Sequence, residues 1–386
     1  MLCLIETVGR GGGAEQLVVD LAPRLRARGI DLAVAALFDW PDDLGEELAR
    51  AGVPLHRLHI PSRAAFGHGL YRLGKLVRNE HFDLFWSHLA WDHLYACAAA
   101  AMAPGSVVVN TFHGEMPDPP PATVRSRAGR WVQRRACGRA THVAVSHATA
   151  RDFARVYGWD DIQVVHNGVD LARVERLGGT ISRAAARAAF GVDDDAFLLV
   201  VPARYVEKKG QAHLIDAVAR LHDAGVAARV LMFGTGPTQA SLQAQVDQLN
   251  LGRSVTIGPI IPHAQLFPLI RAADALVQPS LREPFGIGAV EAMALGTPVI
   301  LSDIDGFRET TDNGRVAHLV PTGNAAALAA AITGLRDDPS TARVRAAAGR
   351  AHVFAHFSID ACADRWHAIL TDALNGGSSR CAALPG

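Results

Sequence analysis

Apolar residues recur along this chain in short runs, each followed by a glycine- or histidine-bearing turn and then by a longer stretch with helical spacing. That alternation is how the strands and helices of a parallel α/β sheet read. In the first half the predicted strands are Leu2–Ile5, Leu32–Leu37, Leu84–Trp86, Val107–Thr111, His142–Val145 and Gln163–Val165. Leu17, Leu21 and Leu25 repeat every four residues and so share one face of a helix predicted over Ala14–Arg28. A polar, arginine-rich stretch from about Asp170 to Arg187 interrupts the pattern and reads as a connector. A second series follows, with strands predicted at Phe197–Val201, Arg229–Phe233, Val255–Ile257, Ala275–Val277 and Pro298–Leu301.

Two consecutive β-α series predict an α/β chain of two Rossmann-like, doubly wound domains facing each other across a cleft. The expected division is 1–168 and 169–355, then a C-terminal helix over 356–374 crossing back to the first domain, and a Gly- and Ser-rich disordered tail over 375–386. Ligands of such sheets bind outside the carboxyl ends of the strands, so loops of both domains are expected to build the site.

The length of 386 residues suits two domains with proper cores, and 49% hydrophobic residues exclude a disordered or fibrous chain. Lysine and arginine (38) balance aspartate and glutamate (38), which leaves no field to hold a polyanion and argues against nucleic acid as a partner. Cys3, Cys97, Cys137, Cys362 and Cys381 include no C-x-x-C pair, fit neither a disulfide framework nor a zinc site, and point to a reducing cytoplasm. No apolar run approaches the ~20 residues of a membrane span, and Met1–Glu6 lacks the basic start of a signal peptide.

Gly9-Arg10-Gly11-Gly12-Gly13 lies between the first strand and the first helix, where bare backbone amides can approach an anionic ligand. Gly9, Gly11 and Ala14 also match a loose G-x-G-x-x-A dinucleotide pattern. The acid that should follow at the end of the second strand is misplaced, since Asp31 comes before that strand and Asp39 late. An NAD-dependent oxidoreductase is therefore the weaker alternative.

The richest segment runs from Ser280 to Ile300: Glu283-Pro-Phe285-Gly286-Ile287-Gly288, then Glu291-Ala-Met-Ala-Leu-Gly296-Thr-Pro-Val-Ile300. It reads as loop, helix, glycine stop and strand, with Glu283 in the loop and Glu291 two turns inside the helix. Gly286 and Gly288 at the helix start make a cradle for a diphosphate. Seven residues separate the two acids. This E-x7-E context resembles the family-4 retaining glycosyltransferases of GT-B architecture. The resemblance extends in order over Gly11-Gly-Gly-Ala-Glu15, Phe112-His113-Gly114, Val145-Ser146, Val165-His-Asn167-Gly168-Val-Asp170, Ala203-Arg204, Lys208-Lys209-Gly210, Phe233-Gly234-Thr-Gly236-Pro237 and Val255-Thr-Ile-Gly258.

The resemblance implies a transferase moving a hexose-type sugar from a nucleoside diphosphate donor, UDP in preference to GDP, to a hydroxyl of a glycan, lipid-linked or small-molecule acceptor, with retention. A nucleotide-sugar epimerase of the same architecture is the alternative enzyme. The first domain would be the acceptor side and the second the donor side. Arg204 and Lys209 would hold the diphosphate and stabilise its departing charge. Glu291 would accept from the ribose hydroxyls, and Glu283 would contact the donor sugar. His113 would meet that sugar from the first domain, donating or accepting. Gly12, Gly13, Gly234, Gly258, Phe285, Gly286, Ile287 and Gly288 would complete the donor site. Asn167 either reaches the cleft or shapes the turn, and Glu309 matches a recurrent family acid. Asp303-Ile-Asp305 is a D-x-D, but Arg204 and Lys209 already supply the countercharge, so no metal or other cofactor is expected.

Two features outside these motifs bear on partners. Trp86, His88 and Trp91 follow a strand of the first domain, where they would either meet an acceptor or pack a helix start on the sheet. Residues 125–139 hold six arginines and no acid around Trp131 and Val132, which makes either a solvated helix face or a peripheral contact with the anionic inner face of a membrane. Pro117–Pro121 reads as a stiff loop or as a lip over the cleft.

Overall fold

The computed structural model describes residues 1–9, 12–40, 44–116 and 124–376. Arg10 and Gly11 of the glycine cluster, Pro117–Pro121, Cys381 and the tail from residue 377 lie outside the described residues. The chain divides into two compact units, one made of Met1–Gly168 with the segment that begins at Ile359, the other of Val169–Ser358.

The first unit is built on a parallel sheet of seven strands: β1 (Leu2–Ile5), β2 (Ala33–Ala36), β3 (Leu55–Arg57), β4 (Leu84–Ser87), β5 (Val107–Phe112), β6 (Thr141–Ala144) and β7 (Ile162–Val164). Their order is β3-β2-β1-β4-β5-β6-β7, and Leu4 pairs with Ala35 on one side and Ser87 on the other. Helices on both faces explain why the central strands read as mostly apolar runs rather than alternating ones. β3 escaped the sequence pattern because Leu55-His56-Arg57 holds a single apolar residue.

The last helix, Ile359–Leu374, belongs to this unit; residue 356 instead closes the preceding helix, Pro339–His356. Ile359, Cys362, Ala363, Trp366 and Leu370 enter the same core as Cys3, Ile5, Leu17 and Leu21. Trp366 meets Trp86 with ring centroids 4.8 Å apart. Arg24 and Arg28 of the helix Gly13–Ala27 and its cap reach Asp360 and Asp364 at 3.0 and 2.7 Å.

The second unit holds six parallel strands: β8 (Leu198–Pro202), β9 (Arg229–Phe233), β10 (Val255–Gly258), β11 (Ala275–Gln278), β12 (Val299–Ser302) and β13 (His318–Val320), in the order β10-β9-β8-β11-β12-β13. The stretch expected to be a connector is folded. It forms helices Leu171–Gly178 and Arg183–Ala188, capped by the side chains of Asp170 and Ser182. Its composition hid a buried cation: Arg187 has no exposed surface and donates to the carbonyls of Ala272, Asp193, Asp194 and Ala196 and, at 2.8 Å, to the Asp274 carboxylate. That carboxylate also accepts from the Leu198 amide at 2.7 Å, fixing where β8 begins.

In each sheet the strand order reverses once, between β1 and β4 and between β8 and β11. Loops leaving the carboxyl ends of those neighbours part to opposite faces, which opens a crevice suited to a ligand.

Candidate active site

In the second unit the crevice between β8 and β11 is bordered by two loops that carry Arg204, Lys209, Glu283, Phe285 and Gly286 of the expected donor residues. The β8 loop holds Arg204, exposed to solvent, and a single helical turn, Glu207–Lys209. The β11 loop runs from Pro279 to Gly286. The Leu281 amide donates to the Lys208 carbonyl at 2.8 Å, which ties one loop to the other, and Gln211 Nε2 donates to the Arg204 carbonyl at 2.9 Å. The Lys209 ammonium donates to the Glu283 carboxylate, both side chains being largely buried. Two residues expected to face different parts of a donor thus form one ion pair. Glu283 is held from behind by Gly306, where a Cβ would come within 2.0 Å of the Glu283 carbonyl oxygen.

Gly286 ends this loop at φ +88, a left-handed conformation, and caps the helix Ile287–Ala294. Its carbonyl accepts from Ala289 and Val290. The amides of Ile287 and Gly288 have no partner within the helix, as the first turn always leaves its N–H groups. Glu291, 9% exposed, lies one turn inside this helix rather than two, because the left-handed Gly286 delays its start.

Other expected donor residues are packed into the scaffold. Gly234 and Gly258 are buried; a Cβ on Gly234 would lie 2.1 Å from the Ala203 carbonyl oxygen, and the Gly258 carbonyl accepts from the Tyr205 hydroxyl at 2.6 Å. The Phe285 ring is 1% exposed and meets Phe357 edge-on, which confines any part it has at a ligand to its main chain. Both D-x-D acids face Arg308: Asp303 is held bidentately at 2.5 and 2.8 Å and Asp305 lies at 3.8 Å.

Sequence reasoning missed Gln278 and Ser280. Both are buried at the carboxyl end of β11, with Gln278 Oε1 and Ser280 Oγ lacking any hydrogen-bond partner among the described residues. A buried polar atom without a partner is costly, so such atoms beside a crevice await water or a ligand. Their only signal was position, polar residues ending an apolar strand.

In the first unit Gly12 and Gly13 open the helix after β1, with Gly12 as its cap. His113 follows β5 directly and His88 follows β4, and the two rings meet at 2.9 Å, His88 Nδ1 to His113 Nε2. Burial pulls His113 down to about 3, so its imidazole is neutral at physiological pH. The expectation of an acceptor-binding Trp86 and His88 is corrected here: neither has exposed surface. Trp86 donates from Nε1 to Thr111 Oγ1 at 2.9 Å within the core, so its indole is already satisfied. Trp91 is half-buried beside Phe66. Asn167 is 5% exposed and its Oδ1 has no partner among the described residues.

Comparison with known proteins places this geometry. The family described as "Glycosyltransferase Family 4" matches residues 11–173, and that described as "Glycosyl transferases group 1" matches residues 182–352. D-inositol 3-phosphate glycosyltransferase 1 of Catenulispora acidiphila is 30% identical over 403 residues, covering 96% of this chain and 93% of that protein. The 2-deoxystreptamine glucosyltransferase of Streptomyces kanamyceticus is 28% identical over 337 residues, covering 82% of this chain and 86% of its own. Among solved structures, Anabaena HepE in complex with UDP and glucose superposes with a TM-score of 0.82 at 23% identity, over 96% of this chain and 99% of that one. The sucrose-phosphate synthase of Thermosynechococcus elongatus gives 0.81 at 23% identity, over 97% and 99%. With two Rossmann-like units and these matches along nearly its whole length, the chain belongs to the family-4 glycosyltransferases of GT-B architecture.

Proposed function

We propose that this protein transfers a hexose-type sugar from a nucleoside diphosphate sugar, with UDP preferred, to a hydroxyl of a glycan, lipid-linked or small-molecule acceptor, with retention at the anomeric carbon. The observation that carries this is the Lys209–Glu283 pair at the β8/β11 crevice, directly before the Gly286-capped helix that holds Glu291. Two cations, amides without a partner in their helix and a carboxylate then follow the neighbouring ends of β8 and β11, which is what a nucleotide sugar needs. The UDP and glucose held by the Anabaena neighbour support the choice of base, and the names of the inositol phosphate and deoxystreptamine relatives support a small polyol acceptor.

In this reading Arg204 and Lys209 bind the diphosphate, Glu291 accepts from the ribose hydroxyls, and Glu283 and His113 bind the donor sugar. The bond from the anomeric carbon to the β-phosphate oxygen breaks as the acceptor oxygen bonds the same face. The acceptor proton passes to the departing phosphate, whose growing charge is met by Arg204 and Lys209. No separate base is needed and no metal takes part. A thermal-shift screen of nucleotide sugars, followed by transfer assays and reading of the product's anomeric coupling, tests this. An inverted product, or no stabilisation by any nucleotide sugar, would reject it.

A peripheral membrane contact at the cytoplasmic face is the second part of the reading. In the helix Val124–Cys137, Gln133 and Cys137 are buried, whereas Trp131 is 68% and Val132 46% exposed beside the exposed Arg127, Arg134 and Arg135. An aromatic residue among cations suits an anionic bilayer surface. Co-sedimentation with phosphatidylglycerol vesicles but not with phosphatidylcholine vesicles is expected; equal recovery from both would reject the contact.

A further inference from the structure

The pair His88–His113 carries a consequence beyond His113's contact with a donor sugar, and it rests on the transferase reading above. Burial holds both imidazoles neutral: His113 is pulled down to about 3 and His88 well below the usual histidine value. Two neutral rings whose Nδ1 and Nε2 stand 2.9 Å apart share one N–H···N bond, and only two proton arrangements satisfy it. If His113 Nε2 donates, His88 must carry its own proton on Nε2. That atom is buried and has no partner among the described residues. If His88 Nδ1 donates, His88 Nε2 is left with a bare lone pair instead. Orphaned buried N–H groups are rarer than unpartnered acceptors, so the second arrangement is favoured.

We infer that His88 is a positioning residue: by donating from Nδ1 it fixes His113 as the Nδ1–H tautomer, so that His113 presents a hydrogen-bond donor to the ligand and cannot serve as a base. The ring geometry supports this. The two imidazoles stand 5.2 Å apart, 28° from parallel, and His88 is braced by Trp86, whose ring lies 4.3 Å away and is itself fixed by Trp366. The Trp86 ring thus limits how far His88 can turn away from His113. Among the described residues His88 is the one hydrogen-bond partner of the His113 ring, which leaves Nδ1 open. An N–H there matches the oxygen of a sugar hydroxyl, and a neutral ring of such low basicity leaves the acceptor's proton to the departing phosphate.

The test is a two-bond proton–nitrogen correlation spectrum of the histidine-labelled full chain from about pH 6 to about pH 8, with His113 assigned by its loss in H113Q. The expected spectrum shows His113 protonated on Nδ1 throughout. His88→Phe keeps the ring but removes the donor, and should scatter His113 between tautomers and lower kcat about tenfold with little change in KM. His88→Asn returns an N–H near the Nδ1 position and should recover both. An Nε2–H His113 in the wild type, an unchanged tautomer in His88→Phe, or a scattered tautomer with full turnover would each overturn the inference. Failure of the transferase reading is a different result, namely wild-type protein inert towards every nucleotide sugar. The wild-type spectrum then decides the tautomer alone, and it does not depend on either variant folding.

Discussion

Lys209 and Glu283 form an ion pair that joins the loops after β8 and β11, so the expected phosphate ligand and the expected sugar ligand neutralise each other. Residues that act as a unit lose function as a unit. Lys209→Ala should lower kcat about 10²–10³-fold by removing charge stabilisation at the leaving diphosphate. Glu283→Ala should cost a similar factor, and the double variant should be scarcely worse than the worse single one. Steady-state kinetics of the four proteins gives the cycle. Fully additive losses would mean that the pair has no shared role.

Glu291 separates binding from chemistry. Its carboxylate stands one turn into the helix Ile287–Ala294, where the ribose of a bound nucleotide would accompany a diphosphate at the helix start. Glu291→Gln retains volume but offers one acceptor oxygen in place of two. It should weaken UDP about tenfold, equivalent to about 1.4 kcal/mol, with kcat less affected. Calorimetric titration measures this, and wild-type affinity would remove Glu291 from the site.

Asp303 and Arg308 bear on metal dependence. The guanidinium bonds both oxygens of the carboxylate and lowers its basicity, so a divalent ion at the D-x-D would have to displace an arginine. Transfer should survive EDTA undiminished. Activity lost to EDTA and restored by magnesium would assign Asp303 and Asp305 to a metal instead.

Acid should weaken the first unit through its histidines. His142 is 5% exposed, stacks on Trp159 with centroids 3.9 Å apart, and neither ring nitrogen has a partner among the described residues. Burial lowers it from 6.5 to about 4, and lowers His93 to about 3. The unfolded chain therefore binds protons that the folded one refuses. The stability is fully present above pH 6.5 and is lost as pH falls towards about 4, at about 1.4 kcal/mol per pH unit for each imidazole. His142→Phe should reduce the slope of unfolding free energy against pH by one proton's worth in that window. An undiminished slope in denaturant titrations would show that His142 is protonated in the native protein.

The sheet strands were legible wherever Val, Leu and Ile ran together, because strands buried on both faces need no alternation. β3 and β13 were not, since Leu55-His56-Arg57 and His318-Leu319-Val320 are short edge strands with polar members. The arginine-rich stretch before β8 misled because burial of Arg187 depends on carbonyls and a carboxylate supplied from elsewhere in the unit. Motif order pointed to Arg204, Lys209, Glu283 and Glu291. It could not find that Lys209 and Glu283 touch or that Gln278 and Ser280 hold unpartnered atoms, and it left Trp86 open between acceptor and core. Those are facts of packing between segments, invisible to spacing along one.

The same holds for Cys97 and Cys137, whose separation in sequence suggested no relationship. Their sulfurs stand 3.1 Å apart, between the helices Ala90–Met102 and Val124–Cys137. A disulfide requires about 2 Å. Cys97 is the less buried residue, and its hydrogen bond with Cys137 holds its thiol below the ordinary value, whereas Cys137 is pushed up. On that polarity Cys97 is the sulfur expected to react with peroxide to give a sulfenic acid, from which the Cys137 thiol would displace water to close the S–S bond. Treatment with dilute hydrogen peroxide should yield a protein lighter by two hydrogens, with one crosslinked peptide pair on digestion and full reversal by a thiol. Cys137→Ser should stop at the sulfenic acid, trapped by dimedone, and Cys97→Ser should resist both steps. A crosslink that survives either substitution would show that the pairing lies elsewhere.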